Sequence, residues 1–231
     1  MRRLVAVAAS LAALAAVAAG PALRSGAVSP DVPPTAPGVA ATVRPERPRV
    51  STTPRAARAR TEITECGEAR ARLVRIRVDV QEGLPVSEAG FRRAVMSILC
   101  DRRSWVASGK VRYRYDPEAR IVVKLRDPEQ TEERCRRLTG QSVLKRFSCA
   151  GSRETVLNSD RWFEGSPWWD GTVAQYRHLL VNHEFGHVLG QRHRSCRTSG
   201  KPAPVMMQQS KGLGGCLPNP WPLAYELRSL R

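Results

Sequence analysis

The chain has 231 residues, with 38 Lys and Arg against 21 Asp and Glu, so its formal net charge is +17. The basic residues are not interleaved with runs of aromatics and no nucleic-acid-binding motif is present, which argues against a specific nucleic-acid partner. A solvated, Arg-rich surface is the simplest explanation of the charge, and attraction to anionic lipids or cell-wall polymers is the alternative.

The start of the chain predicts export followed by a linker. Residues 1–20 begin with Met-Arg-Arg and continue as an uncharged run of Ala, Val and Leu, the order found in secretory signal peptides. The run is long enough that an uncleaved membrane anchor is the alternative. Residues 21–60 contain eight prolines and few large apolar side chains, which predicts a disordered linker. Residues 61–231 then form one domain, which we expect to be monomeric.

The first half of this domain alternates strands with helices. Apolar and polar residues alternate in three stretches, which predicts half-buried strands at 74–80, 111–115 and 121–125. A helix is predicted between the first two strands, after the N-cap Ser87, because apolar residues there recur at helical spacing. Asp127-Pro128 predicts the start of a polar helix that reaches Leu138. Two weaker strands are predicted at 143–148 and 154–158.

The next predicted helix follows an aromatic segment. Three of the five tryptophans lie between residues 158 and 169, where a place in the core is the main interpretation and a pocket lining is the alternative. Thr172 and Gln175 form a T-x-x-Q capping box. The helix is therefore predicted to run from Val173 to Leu189.

The end of this helix carries a candidate metal site. His183 and His187 are four residues apart, so both imidazoles leave one face of the helix, with Glu184 beside them. On a continuous helix His193 would lie about 9 Å further along the axis, too far to share an ion. Gly190 removes this obstacle, because glycine readily adopts the left-handed conformation that ends a helix and turns the chain back.

These residue types indicate one catalytic zinc ion. Three imidazole ligands with no fourth protein ligand leave one tetrahedral position for water, whereas structural zinc sites are closed by four ligands. Zinc lowers the pKa of that water towards neutrality, and Glu184 is the expected acceptor of its proton. His178 lies on the wrong face to join the site and is interpreted as a surface or hydrogen-bonded histidine.

The pattern His-Glu-x-x-His-x-x-Gly-x-x-His at 183–193 resembles the signature of the metzincin zinc peptidases. In that group a later Met-containing turn runs beneath the metal, and Met206 is the better candidate for it here. The wider stretch from Tyr176 to Pro222 resembles a secreted bacterial domain-of-unknown-function family within the group. The resemblance implies an α+β fold in which two main helices back a twisted mixed sheet, with a cleft along one edge strand. It also implies a zinc-site helix and an irregular, disulfide-pinned C-terminal segment.

Six cysteines behind a signal peptide fit an oxidising compartment. Sequence alone permits fifteen connectivities. Pairing neighbours along the chain gives Cys66 with Cys100, Cys135 with Cys149, and Cys196 with Cys216. Some metzincins are kept latent by a propeptide thiolate on the zinc, so the resemblance implies a second possibility for Cys66, which would leave Cys100 as a free thiol.

The prediction is a secreted or cell-envelope zinc peptidase that hydrolyses amide bonds in peptide or protein substrates. Residues 1–60 hold nine Arg and two acids, so a tether to anionic wall polymers is a further expectation. The alternatives are an inactive, zinc-stabilised envelope-binding domain and an amidase of cell-wall peptides. Glu184 argues against the inactive domain, because a structural zinc needs no general base.

The Pro-rich residues 218–222 are predicted to wrap the surface, and residues 223–231 to fray.

Overall fold

A computed structural model describes residues 62–231; the predicted signal peptide and linker lie outside the described residues. The described part is built on a mixed six-stranded sheet with the strand order β1-β3-β2-β4-β6-β5. The strands are β1 (Glu65–Cys66), β2 (Arg72–Val80), β3 (Val111–Tyr115), β4 (Ile121–Arg126), β5 (Cys149–Ala150) and β6 (Glu154–Asn158).

Five α-helices accompany the sheet in the described residues. They are α1 (Glu88–Leu99), α2 (Pro128–Thr139), α3 (Ser159–Glu164), α4 (Val173–Val188) and α5 (Ala224–Ser229). Two 3-10 helices span Trp105–Ser108 and Gln209–Lys211. No helix within residues 62–231 is long and apolar enough to cross a membrane.

The four inner strands are parallel and the two edge strands are antiparallel to their neighbours. The central strand β2 pairs with β3 along its first half and with β4 along its second. Ile76 is the partner of both Tyr115 and Ile121. The short segment 116–120 therefore connects β3, on one side of β2, to β4, on its other side. Val74, Ile76 and Val78 are buried on one face of β2, as their alternation predicts.

The helices cover both faces of the sheet. Leu157 of β6 belongs to the main core together with α1 and α4, whereas Val156 packs with Cys135 of α2. Successive residues of a strand point to opposite faces, so α2 lies across the sheet from α1 and α4. The α+β class is confirmed. Of the first two predicted helices, α1 lies on one face of the sheet and α2 on the other, and the histidine-bearing helix α4 lies beside α1.

Local capping fixes where the helices begin. The Ser87 side chain accepts a hydrogen bond from Gly90 N at 3.1 Å, and the Asp127 side chain accepts one from Gln130 N at 2.7 Å. The sequence predicted a helix start at each of these two residues. Helix α2 ends at Gly140, whose φ of 72° is left-handed.

All three predicted disulfides are present: Cys66–Cys100, Cys135–Cys149 and Cys196–Cys216. No free cysteine remains, so the latency alternative for Cys66 was wrong. Cys135–Cys149 joins α2 to the edge strand β5. Cys196–Cys216 closes the segment that contains the predicted Met turn.

The structure corrects three local predictions. Residues 143–148 form no strand, because Leu144 and Lys145 have φ values of 56° and 54°, which are left-handed and incompatible with extended pairing. Residues 224–229 do not fray but form α5, and Leu230 is buried. Of the aromatic segment, Trp162 belongs to the core as predicted, whereas Trp168 is 61% exposed. The Pro-rich residues 218–222 contain no helix or sheet strand, as predicted.

Candidate metal centre

Helix α4 begins at the predicted capping box and carries the first two histidines. The Thr172 side chain accepts from Gln175 N at 3.2 Å, and the Gln175 side chain accepts from Thr172 N at 2.9 Å. The four-residue spacing then brings the imidazoles of His183 and His187 to one face, with ring centroids 5.1 Å apart.

Gly190 ends the helix and returns the chain to these imidazoles. Its φ is 83°, and its N–H donates to His187 O at 2.9 Å. After this turn His193 lies with its Nε2 atom 3.1 Å from Nε2 of His187. Its ring centroid is 5.2 Å from that of His183. The structure therefore brings the three predicted ligands together.

The outer nitrogens of the two helical histidines are held by backbone carbonyls. Nδ1 of His183 lies 2.8 Å from Val205 O, and Nδ1 of His187 lies 2.9 Å from Gln191 O. A carbonyl oxygen only accepts, so Nδ1 carries the hydrogen and Nε2 keeps a lone pair directed at the cluster. Metal-bound histidines are usually oriented by such a hydrogen bond on the second nitrogen.

The donor set fits a tetrahedral zinc ion. One nitrogen from each of His183, His187 and His193 lies within 4.8 Å of the others. Two nitrogens bound to one tetrahedral zinc are about 3.3 Å apart, close to the 3.1 Å between His187 and His193. Within residues 62–231 no other His, Cys, Asp or Glu joins the cluster. The arrangement thus leaves room for a fourth ligand from outside the protein.

Burial sets the protonation of these groups. It lowers the pKa of His183 to about 3 and that of His193 to about 4, with help from the neighbouring His187, and it lowers the pKa of His187 as well. The imidazoles are therefore neutral at neutral pH, which is the form that binds metal. Burial raises the pKa of Glu184 to about 8, and the positive charge of Lys211 acts in the opposite direction. A divalent cation on the imidazoles would also favour the carboxylate.

The predicted Met turn lies directly beneath the helix. Met206 is completely buried, and a side chain at Gly186 of α4 would overlap its Sδ atom. The absence of a side chain at Gly186 therefore lets Met206 pack directly against helix α4, between the positions of His183 and His187 along the chain. Arg194 N donates to Met206 O at 3.0 Å, which joins the His193 loop to the same turn. The neighbouring Met207 is only half-buried and lines the cleft instead.

Glu226 supports this turn and was missed by the sequence prediction. Its carboxylate is fully buried and accepts hydrogen bonds from Val205 N and Met206 N, both at 3.0 Å, and from Leu223 N at 2.9 Å. The only local signal was an acid three residues after Leu223, the pattern of a helix cap. Nothing in the sequence indicated that this acid also accepts hydrogen bonds from a turn about twenty residues earlier in the chain.

Asn182 joins helix α4 to two other segments of the chain by hydrogen bonds. Its side chain donates to Pro220 O at 3.1 Å and accepts from Ser104 Oγ at 2.7 Å, and its backbone oxygen accepts from Trp105 Nε1 at 2.9 Å. The Pro-rich segment is thereby attached to the helix just before His183. His178 stacks near Trp221, with ring centroids 4.8 Å apart, and takes no part in the histidine cluster, as predicted.

The histidines open into a cleft of about 210 Å³. One wall is formed by residues between 139 and 150, which end in the edge strand β5. The opposite wall is residues 207–211, after the Met turn. Glu184 lines the cleft together with the three histidines. The sequence did not indicate which edge strand borders the cleft, and the structure shows that this strand is β5.

Residues 52–222 match the sequence family described as "Protein of unknown function (DUF3152)". The chain belongs to this family. The range shared with the DUF3152 family contains the three histidines, Glu184, Met206 and all six cysteines, and it ends before Glu226. No curated protein matches the chain significantly.

Proposed function

We propose that this protein is a zinc-dependent peptidase with a metzincin-like fold, exported to the cell envelope or beyond. One observation carries the proposal. The imidazoles of His183, His187 and His193 converge at the base of a cleft that Glu184 also lines. The fold assignment is supported by the Met206 turn beneath α4 and by an antiparallel edge strand on one wall of the cleft.

The chain's own residues take distinct roles in this proposal. His183, His187 and His193 would hold one zinc ion, which supplies a Lewis acid that polarises a carbonyl and makes water a nucleophile at neutral pH. Glu184 accepts a proton from the attacking water and passes it to the leaving amine. Glu184 follows His183 directly on α4 and lines the cleft with the three histidines, so its carboxylate is available to that water.

The edge strand offers a place for an extended peptide. Cys149 and Ala150 of β5 line the cleft and pair on one side only, with β6, among the described residues. Their outer backbone groups can bind a substrate strand by main-chain hydrogen bonds, a recurring mode of peptide recognition. Main-chain pairing of this kind would position an amide bond beside the histidines.

Export is supported by the three disulfides, which form and persist in oxidising compartments. The strongly basic composition is consistent with retention on anionic wall polymers. Peptides linked to such polymers are one source of substrate within this proposal, and soluble peptides are another.

The test is a peptide-library digest read by mass spectrometry. The full-length protein, freed of metal by a chelator and then reloaded with zinc, is compared with Glu184→Gln and with a control, Glu164→Gln, at an exposed position outside the cleft. We expect cleavage by the zinc-loaded wild type and the control, none after metal removal, and loss of at least about a hundredfold in Glu184→Gln with zinc retained. One bound zinc per chain with no cleavage of any peptide would favour an inactive binding domain.

A further inference from the structure

Among residues 62–231, one lysine and no arginine line the cleft. Apart from the three histidines, the only charged residues of this described part that line it are Glu184 and Lys211. Glu184 lies with the histidines, whereas Lys211 is exposed at the end of the opposite wall. The remaining lining side chains are apolar or uncharged, so Lys211 is the side-chain cation that an incoming ligand meets besides the histidine-held centre.

The Lys211 ammonium has no acidic partner within residues 62–231, since no carboxylate oxygen lies within 4.0 Å of its Nζ atom. Lys145, on the loop that leads to β5, instead pairs with Glu129 at 3.1 Å. Lys211 is therefore available to a ligand in a way that the paired cation nearby is not.

Phe147 directs this ammonium over the cleft. Nζ of Lys211 lies 4.9 Å from the centre of the Phe147 ring, which belongs to the facing wall. A cation over an aromatic face is held by the ring's quadrupole yet keeps its other donors free. The charge is thus held beside Phe147, where the two segments that line the cleft meet.

Lys211 lines the same cleft as Glu184 and the three histidines. A ligand group paired with Lys211 therefore occupies the cleft that leads to the candidate metal centre.

We infer that the substrate carries a carboxylate beside the bond that is cleaved, and that Lys211 is the specificity residue that pairs with it. This inference rests on the proposed peptidase function. The carboxylate has two possible sources with the same chemistry: an acidic side chain next to the scissile bond, or the free C-terminus of a peptide cut near its end.

Paired substrates separate these sources. One pair of amidated peptides differs only by Glu or Gln beside the cleaved bond. A second pair is neutral there and differs only by a free or an amidated C-terminus one residue after it. kcat and KM are measured for wild type, Lys211→Met, Lys211→Arg and the control Lys201→Met, at an exposed lysine outside the cleft.

We expect wild type to favour one carboxylate peptide over its neutral partner by about tenfold in kcat/KM, which corresponds to about 1.4 kcal/mol. Lys211→Met should abolish that preference, mainly through KM, so that kcat/KM falls far more for the carboxylate peptides than for their neutral partners while one zinc per chain is retained. Lys211→Arg should keep most of the preference, and Lys201→Met all of it. An equal loss on charged and neutral peptides, or no preference in wild type, would overturn the inference.

A binding measurement keeps this test independent of turnover. Zinc-loaded Glu184→Gln, with and without Lys211→Met, is titrated with the same four peptides by calorimetry. Tighter binding of a carboxylate peptide that depends on Lys211 supports the inference even if no peptide is cleaved, in which case the peptidase proposal alone fails. If peptides are cleaved but binding of the carboxylate peptides does not depend on Lys211, the peptidase proposal stands and the inference about Lys211 fails.

Discussion

Nδ1 of His183 lies 2.8 Å from the carbonyl oxygen of Val205, and this hydrogen bond joins helix α4 to the turn that contains Met206. The N–H of Met206, which belongs to the same peptide group as this oxygen, donates to the buried carboxylate of Glu226 at 3.0 Å. A histidine of the candidate metal centre is therefore oriented by a peptide group that is itself held from the C-terminal helix.

Glu226→Gln should weaken both the turn and the metal site. A glutamine offers one oxygen to N–H groups that now meet both carboxylate oxygens, and its amide places a donor against a donor. We expect a loss of about 1–3 kcal/mol in the free energy of unfolding and about tenfold weaker zinc binding. Chemical denaturation and competition with a chromophoric chelator measure the two quantities.

The control is Glu118→Gln, at an exposed position. It should change neither stability nor zinc affinity. A Glu226→Gln protein that is less stable but binds zinc as tightly as wild type would limit Glu226 to a role in folding.

Gly186→Ala should destabilise the fold through overpacking. The new Cβ would overlap Sδ of Met206 and lie 2.9 Å from Cζ2 of Trp105, both of which are completely buried. Crowding a filled core costs about 1–3 kcal/mol, although alanine is the better helix former. The measurement is urea denaturation, with Gly90→Ala in α1 as the matched helical glycine. Equal stability of the two variants would show that Met206 can move aside.

The Cys196–Cys216 disulfide should matter for both stability and metal binding. Its two cysteines are 20 residues apart, and the loop that they close contains Met206. Replacing both by Ser should cost about 3 kcal/mol on the loop-entropy estimate, and zinc affinity should fall because the turn loosens. The comparison is the double Ser variant of Cys66–Cys100, which joins β1 to the end of α1. That variant should lose a similar stability while its zinc affinity stays unchanged, and an equal fall in zinc affinity for both would argue against a local effect.

Glu132 should make the cleft wall sensitive to acid. The Ser142 hydroxyl, the backbone N–H groups of Lys145 and Val143, and the Arg136 side chain lower the pKa of this carboxylate from 4.5 to about 2. A carboxylate whose pKa is lower in the folded state contributes stability above its unfolded pKa and loses it as the pH falls. The contribution should therefore be complete above about pH 5 and disappear between pH 4.5 and 2.

Unfolding of wild type and Glu132→Gln at several pH values tests this expectation. The difference in unfolding free energy should be constant above about pH 5 and shrink towards pH 2. Glu133→Gln, which removes an exposed pair with Arg137, should show a much smaller dependence. A difference for Glu132→Gln that does not change with pH would exclude a role for its charge.

The parts of the site that could be predicted from sequence depend on local geometry. The spacing of His183 and His187, the capping box at Thr172 and the left-handed Gly190 all act within one or two helical turns. Alternation predicted β2, β3 and β4 for the same reason. Each of these features is specified by neighbours along the chain, so reading the chain in order is sufficient.

The remainder depends on contacts between distant segments. Strand β1 has only two residues and exists because Glu65 and Cys66 pair with β3. Residues 143–148 contain apolar residues but are bent by hydrogen bonds to Glu132 of α2. The buried position of Glu226 and the position of Lys211 over Phe147 follow from packing across many residues. No local pattern specifies such contacts.

The most direct test of the proposed centre is a zinc titration of the metal-free, full-length protein, with hydrolysis of a cleavable peptide as the readout. We expect activity to rise linearly and to stop rising at one zinc per chain, with His193→Ala failing to reach this plateau and Glu184→Gln binding the same zinc without activity. Hydrolysis by the fully metal-free protein, or full activity in Glu184→Gln, would contradict the assignment of His183, His187, His193 and Glu184 to a catalytic zinc site.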